Sequence, residues 1–186
     1  MSHVFDTVPS IAAEIQICRC GYTGEDGFEI SVGNDKVVEF AKMLFEDENV
    51  APAGLGARDS LRLESGLCLH GNDIDTVTTP FEAVLMWTTR KSDAPAFIGK
   101  EEVEKRKAAK RTVKRVGFVM DKSGIPRHGA DVLDEEGNKC GHVSSGTFSP
   151  NLKIGLGMAY VNAKNSKVSL FPLKKIIRLG RKSILM

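Results

Sequence analysis

The hydrophobic pattern of this chain changes period near residue 112, and that change limits the available folds more than any other feature of the sequence. From Val113 onward the apolar residues fall in short β-prone runs, Val116 to Met120, Ala130 to Leu133, Gly141 to Ser144 and Leu156 to Val161, separated by Gly, Pro and Asn turns. Such a series predicts a small antiparallel barrel or sandwich. Before that point, strand-like and helix-like periods alternate. Glu14 to Cys20 and Phe28 to Val32 alternate apolar and polar residues around the connection Gly21-Tyr22-Thr23-Gly24-Glu25-Asp26-Gly27, which predicts a hairpin. Gly33-Asn34-Asp35 then offers a cap for a helix over Lys36 to Glu46, with Val37, Ala41 and Leu44 at helical spacing. A second helix is expected over Ala57 to Glu64, with Leu61 inward and Arg58 and Arg62 sharing a face. A highly charged one is expected over Gly99 to Lys110. Between them, Phe81 to Trp87 reads as a short apolar element and Lys91-Ser92-Asp93-Ala94-Pro95 as a linker, so a domain boundary is expected near residue 95.

Composition excludes several classes of function. With 41% hydrophobic and 27% charged residues the chain fits an ordinary globular protein, and no apolar run approaches the roughly 18 to 20 residues of a membrane helix. The start, Met1 to Asp6, has the features of neither a secretory signal nor a mitochondrial presequence. Nine of the 26 Lys and Arg residues lie after Glu136, the last acidic residue. Such a tail could approach nucleic acid, but no aromatic residues interleave with it as a single-strand groove requires, so it reads as a solvated surface and neither nucleic acid nor membrane is expected as a partner. Four cysteines, two of them spaced C-x-C, and four scattered histidines match no zinc or disulfide framework, so no metal is expected.

The segment from Gly21 to Glu29 is the densest in candidate chemistry. It lacks the G-K-[ST] ending of a phosphate loop and lies between strands, which removes the nucleotide-binding reading. Glu29, flanked by Phe28 and Ile30, is either an inward carboxylate that needs a partner to offset its desolvation or an outward strand residue. If a ligand is the partner, adjacent ring NH and amino donors suit the two carboxylate oxygens. Arg58 is either a clamp for a ligand carboxylate or the ion-pair partner of Asp59 or Glu64. Cys68-Leu69-His70 reads as packing, not as a nucleophile with its base, and Trp87 and Phe97 read as packing residues.

Two motifs carry a family resemblance: Arg19-Cys20-Gly21-Tyr22-Thr23-Gly24-Glu25-Asp26-Gly27-Phe28-Glu29-Ile30, and Gly56-Ala57-Arg58-Asp59-Ser60-Leu61-Arg62-Leu63-Glu64. Gly66 to Ile74, Thr79 to Ala83, Gly141 to Gly146 and Phe148 to Lys153 continue it, so that it spans roughly residues 14 to 162. Together they resemble the C-terminal portion of the glycine cleavage system aminomethyltransferases, or T-proteins. The resemblance implies an α+β fold: a partial folate-binding domain at residues 1–95, a small antiparallel β-barrel domain at 96–170 and an unassigned basic tail at 171–186. It implies Glu29 and Arg58 as folate-contacting residues and Tyr22 as a pocket-lining residue. The implied activity moves a one-carbon unit from an aminomethyl group on the lipoyl arm of H-protein to tetrahydrofolate, with release of ammonia and with no metal.

The family's catalytic aspartate lies upstream of the region that resembles this chain, so no catalytic residue is expected here. Apolar faces that upstream strands would cover are expected to be open, and a chain supplying the missing N-terminal part is an expected partner. Two alternatives accompany this reading: a non-catalytic folate-binding or assembly module, and the folate-binding half of a dimethylglycine or sarcosine dehydrogenase, although no flavin fingerprint is present. Resemblance to eukaryotic members implies the mitochondrial matrix, with the cytoplasm as the alternative.

Overall fold

The computed structural model describes residues 3–89, 97–109, 112–120, 124–134, 136–163 and 176–177. The expected linker at 91–95, and with it the expected boundary, lies outside these residues, as does most of the basic tail. The chain forms two compact units, residues 1–61 and 62–186.

The first unit is built on a three-stranded antiparallel sheet in the order β1 (His3–Val8), β2 (Ala13–Arg19), β3 (Phe28–Val32). The hairpin of β2 and β3 is the one the alternation predicts; β1 carries no clear alternation and is an addition. In this register Val8 lies opposite Ala13, Val32 opposite Ile15 and Ile30 opposite Ile17. These residues share one face, since pairs keep a common side of the pleat. That face receives helix α1 (Val37–Leu44) through Phe40, and Ala13, Ile15 and Phe40 form the core with Val8, Ile17, Val32 and Met43 around it. The helix sits where its spacing predicts, but its inward face differs. Phe40 is buried while Val37, Val38 and Leu44 are exposed. Because the helix is apolar on more than one side, the largest side chain decides which face packs. Nor do Asn34 and Asp35 cap it: Lys36 takes the N-cap position without a side-chain cap bond.

Helix α2 (Leu55–Glu64) gives residues to both units. The second unit then adds helix α3 (Lys100–Ala108) and a five-stranded antiparallel sheet in the order β5-β6-β7-β4-β8. Its strands are β4 (Val113–Met120), β5 (Asp131–Leu133), β6 (Lys139–Ser149), β7 (Ile154–Asn162) and β8 (Ile176–Ile177). The central strand β7 is buried almost throughout, because both of its faces are covered. On one side Phe118, Met120, Val132, Cys140, Val143, Ala159 and Val161 form a core; on the other, Leu63, Val119, Leu156 and Met158 form a second, against which half-buried Cys68 packs. Strand β7 approaches β6 so closely at Gly157 that a Cβ there would overlap the carbonyl of Ser145.

Strand β6 contains one irregularity that matters below. Val143 pairs with Ala159 but Ser145 pairs with Met158, so Ser144 is an extra residue in the ladder. Val143 and Ser145, two apart, consequently face opposite sides of the sheet, and all three residues are buried.

The expectation that Trp87 and Phe97 pack is corrected. Trp87 is 80% exposed and Phe97 36%. Trp87 lies in a short 3₁₀ turn at Met86–Thr88 rather than in a longer apolar element, and Ala83 is the residue of that segment that becomes buried.

Candidate functional site

Strand parity fixes where Glu29 points. Glu29 pairs with Cys18, while Phe28 pairs with Arg19 and Ile30 with Ile17 on the helix-facing side. Glu29 therefore stands on the opposite, uncovered face, and it is exposed. The outward alternative describes its side of the strand. Its neighbour is the thiol of Cys20, which lies within hydrogen-bonding reach of both the Glu29 carboxylate and its amide. Burial first, then the hydrogen bond and negative charge of Glu29, push the Cys20 thiol above its ordinary pKa. The β2–β3 connection is closed by an exposed ion pair at 3.0 Å between Arg19 and Asp26, and it turns through Gly24 at φ 82°, a conformation that glycine adopts without strain.

Arg58 lies in the first turn of α2, its amide donating to the carbonyl of Gly54 at 3.1 Å. Its guanidinium carbon stands 5.0 Å from the centroid of the Tyr22 ring, a cation–π contact. The expected ion pairs with Asp59 or Glu64 do not form among the described residues. Glu64 instead accepts hydrogen bonds from Ser149 at 2.5 Å and Asn151 at 3.0 Å. The structure thus joins two of the three expected residues, Arg58 and Tyr22, and sets Glu29 beside Cys20. As chemistry, the Glu29 carboxylate can accept paired N–H donors and the Arg58 guanidinium can bind a carboxylate.

A separate buried polar cluster in the second unit escaped the sequence reading. Arg62, taken there only as a companion of Arg58, is 2% exposed. Its Nη1 donates to Asp73 Oδ2 at 2.6 Å and to the Leu67 carbonyl at 3.0 Å, and its Nη2 to the Ser145 hydroxyl at 3.0 Å. Asp73 also accepts from the Leu69 amide at 2.9 Å and from the Ser144 hydroxyl at 2.5 Å. The Tyr160 hydroxyl donates to the Asp73 backbone carbonyl at 2.6 Å, and burial pushes Tyr160 up to about 12. The extra residue in β6 brings Ser144 and Ser145 to the two ends of one ion pair. His70 is exposed, and burial is the main cause that raises the Cys68 thiol above its ordinary pKa. Among the described residues no group of three His, Cys, Asp or Glu side chains could hold a metal ion.

Comparison with known proteins explains why these motifs occur in this order. Residues 5–93 match the model of the GCVT N-terminal domain and residues 114–170 that of the glycine cleavage T-protein C-terminal barrel domain. The chain belongs to the glycine cleavage T-protein family. The aminomethyltransferase of Halothermothrix orenii is 49% identical over 160 residues, covering 84% of this chain and 44% of that protein. That of Bacteroides thetaiotaomicron is 47% identical over 155 residues, covering 82% and 43%. The crystal structure of the glycine cleavage system aminomethyltransferase T from Bartonella henselae aligns with a TM-score of 0.77 at 41% identity, covering 81% of this chain and 42% of that one. The α+β architecture and the barrel domain expected from the T-protein resemblance stand. The chain spans less than half the length of the relatives it matches. These relatives are bacterial, as are those from Staphylococcus carnosus and Stenotrophomonas maltophilia, and bacteria have no mitochondria. The expectation of a mitochondrial matrix protein is therefore corrected.

Proposed function

We propose that this chain supplies the folate-contacting side chains of an aminomethyltransferase, which transfers a one-carbon unit from aminomethyl-lipoyl H-protein to tetrahydrofolate and releases ammonia. In this reading residues 1–95 belong to the folate-binding domain, 96–170 to the barrel, and 171–186 remain a tail of unassigned role. Tetrahydrofolate supplies the nitrogen nucleophiles that take up the one-carbon unit. The chain's own residues orient it: Glu29 accepts the paired donors of the pterin ring, Tyr22 lines the ring's pocket, and Arg58 holds the carboxylate at the far end. The observation that carries the reading is Arg58, exposed, stacked on Tyr22 and paired with no carboxylate among the described residues, in the unit that also presents Glu29 on an open sheet face.

A second reading is a folate-binding or assembly module without turnover. Calorimetric titration of the 186-residue chain with tetrahydrofolate tests the site directly. Saturable binding is expected, weakened roughly tenfold to a hundredfold in Glu29→Ala, the range for a lost charged hydrogen bond. A folded chain that binds no folate, or binds it equally well without Glu29, overturns the assignment. Ammonia release from aminomethylated H-protein then separates the enzyme from the module.

A further inference from the structure

Two thiols and a carboxylate share the open face of the first sheet. Cys18 lies opposite Glu29 in the β2–β3 register, and Cys20, the first residue beyond β2, brings its thiol within hydrogen-bonding reach of the Glu29 carboxylate. The strand ends there in a tight curl: the Cys20 amide donates to the Cys18 carbonyl at 3.0 Å, an i to i+2 bond that marks a γ-turn centred on Arg19, and the Cys20 thiol approaches the same carbonyl at 3.8 Å. The curl shortens the separation that an extended strand would impose between the two cysteines. Both are half-buried free thiols, and neither has a role in the proposed folate chemistry.

We propose that Cys18 and Cys20 form a peroxide-sensitive dithiol beside Glu29, whose oxidation to a disulfide withdraws the Cys20 sulfur from the carboxylate and weakens ligand binding there. The coupling to ligand rests on the reading of Glu29 given above; the dithiol itself does not. Burial and then Glu29 disfavour the thiolate of Cys20, and the first attack is assigned to Cys18. The Cys18 thiolate attacks one peroxide oxygen; an S–O bond forms, the O–O bond breaks, and the departing hydroxide takes a proton to become water. Cys20 then gives up its proton and attacks the Cys18 sulfur, forming the S–S bond and expelling the second oxygen as water. Sulfur is oxidised and peroxide reduced in balance. A disulfide at such a curl is of the strained kind that thiols readily reduce.

Trypsin provides a direct assay, since Arg19 lies between the two cysteines and cleavage there separates residues 1–19 from 20–36. The full chain is treated with hydrogen peroxide, cleared with catalase, digested without reductant and analysed by mass. The expected product is the two peptides joined, from protein that still runs as a monomer, released by dithiothreitol and absent from Cys18→Ser and Cys20→Ser. In the intact oxidised chain the ¹³C carboxyl resonance of Glu29, assigned with Glu29→Gln, is expected to shift, and tetrahydrofolate affinity to fall at least tenfold. Unjoined peptides, joining only in cross-linked dimers, or a Glu29 resonance that does not respond to oxidation each overturn the proposal. If the reduced chain binds no folate, the mass and resonance readouts still decide it, and only the function proposed above fails.

Discussion

Arg58 and Arg62 stand one helical turn apart in a run of sequence that treats them alike, yet one is exposed over an aromatic ring and the other is sealed from solvent. The difference lies in Asp73, eleven residues beyond Arg62, and in two serines more than eighty residues along the chain. No local pattern could announce that meeting. Removing one member of a buried pair leaves an uncompensated charge, so Arg62→Ala or Asp73→Ala is expected to cost about 3–5 kcal/mol in urea unfolding of the second unit. The double replacement by apolar residues of similar size should recover a large part of that loss. Tyr160 makes a separate prediction. Its hydroxyl ionises at about 12 in the fold against about 10 in the unfolded chain. Below pH 10 neither state ionises; between 10 and 12 the unfolded state releases a proton that the folded state keeps. Stability should therefore fall as pH rises through that interval. The slope should be smaller in Tyr160→Phe, measured by denaturant titration at each pH.

The elements differ in how much of them a reader of the sequence can find. The β2–β3 hairpin was legible because alternation and a glycine-rich connection agree on it, and β4 to β7 because turn residues divide them. The parity that made the hairpin legible also decided the side of Glu29, once Ile17 and Ile30 were known to face the helix. Helix α1 was legible in position but not in orientation, since Val37, Phe40, Ala41 and Leu44 satisfy helical spacing from more than one starting point. The structure's choice can be tested. Phe40→Ala is expected to cost about 3–5 kcal/mol of the first unit's stability, whereas Val38→Ser, at a position 61% exposed, should stay within about 0.5 kcal/mol. Equal effects in chemical denaturation would mean that the helix packs by another face. Of the proposed site, Tyr22 and Arg58 were singled out through family motifs; their stacking on each other was not legible, because it joins a loop to a helix that begins some thirty residues later.

At the scale of the molecule the two units carry unequal cores. The first closes over Ala13, Ile15 and Phe40 and leaves Val4, Phe5, Phe28 and Phe45 more than half exposed, while the second encloses two apolar clusters on the faces of one sheet. A unit of about sixty residues has little surplus stability even when well packed. Hydrogen exchange should accordingly show the amides of β1 to β3 opening at lower denaturant than those of β6 and β7, and a single simultaneous transition would contradict this. Folate bound as proposed above should narrow the gap by mass action.

The extra residue in β6 has a consequence for how this strand tolerates changes in length. Removing one residue from a regular strand exchanges inside for outside along everything that follows, which no sheet covered on both faces survives. Ser144 is the exception: without it, Val143 and Ser145 would continue a single ladder against Ala159 and Met158, with every other side chain keeping its side. The strand would lose the hydroxyl bonded to Asp73 and the carbonyl bonded to His128, but nothing of its phase. Where most positions in such a sheet are fixed in number as well as in kind, this one can be subtracted.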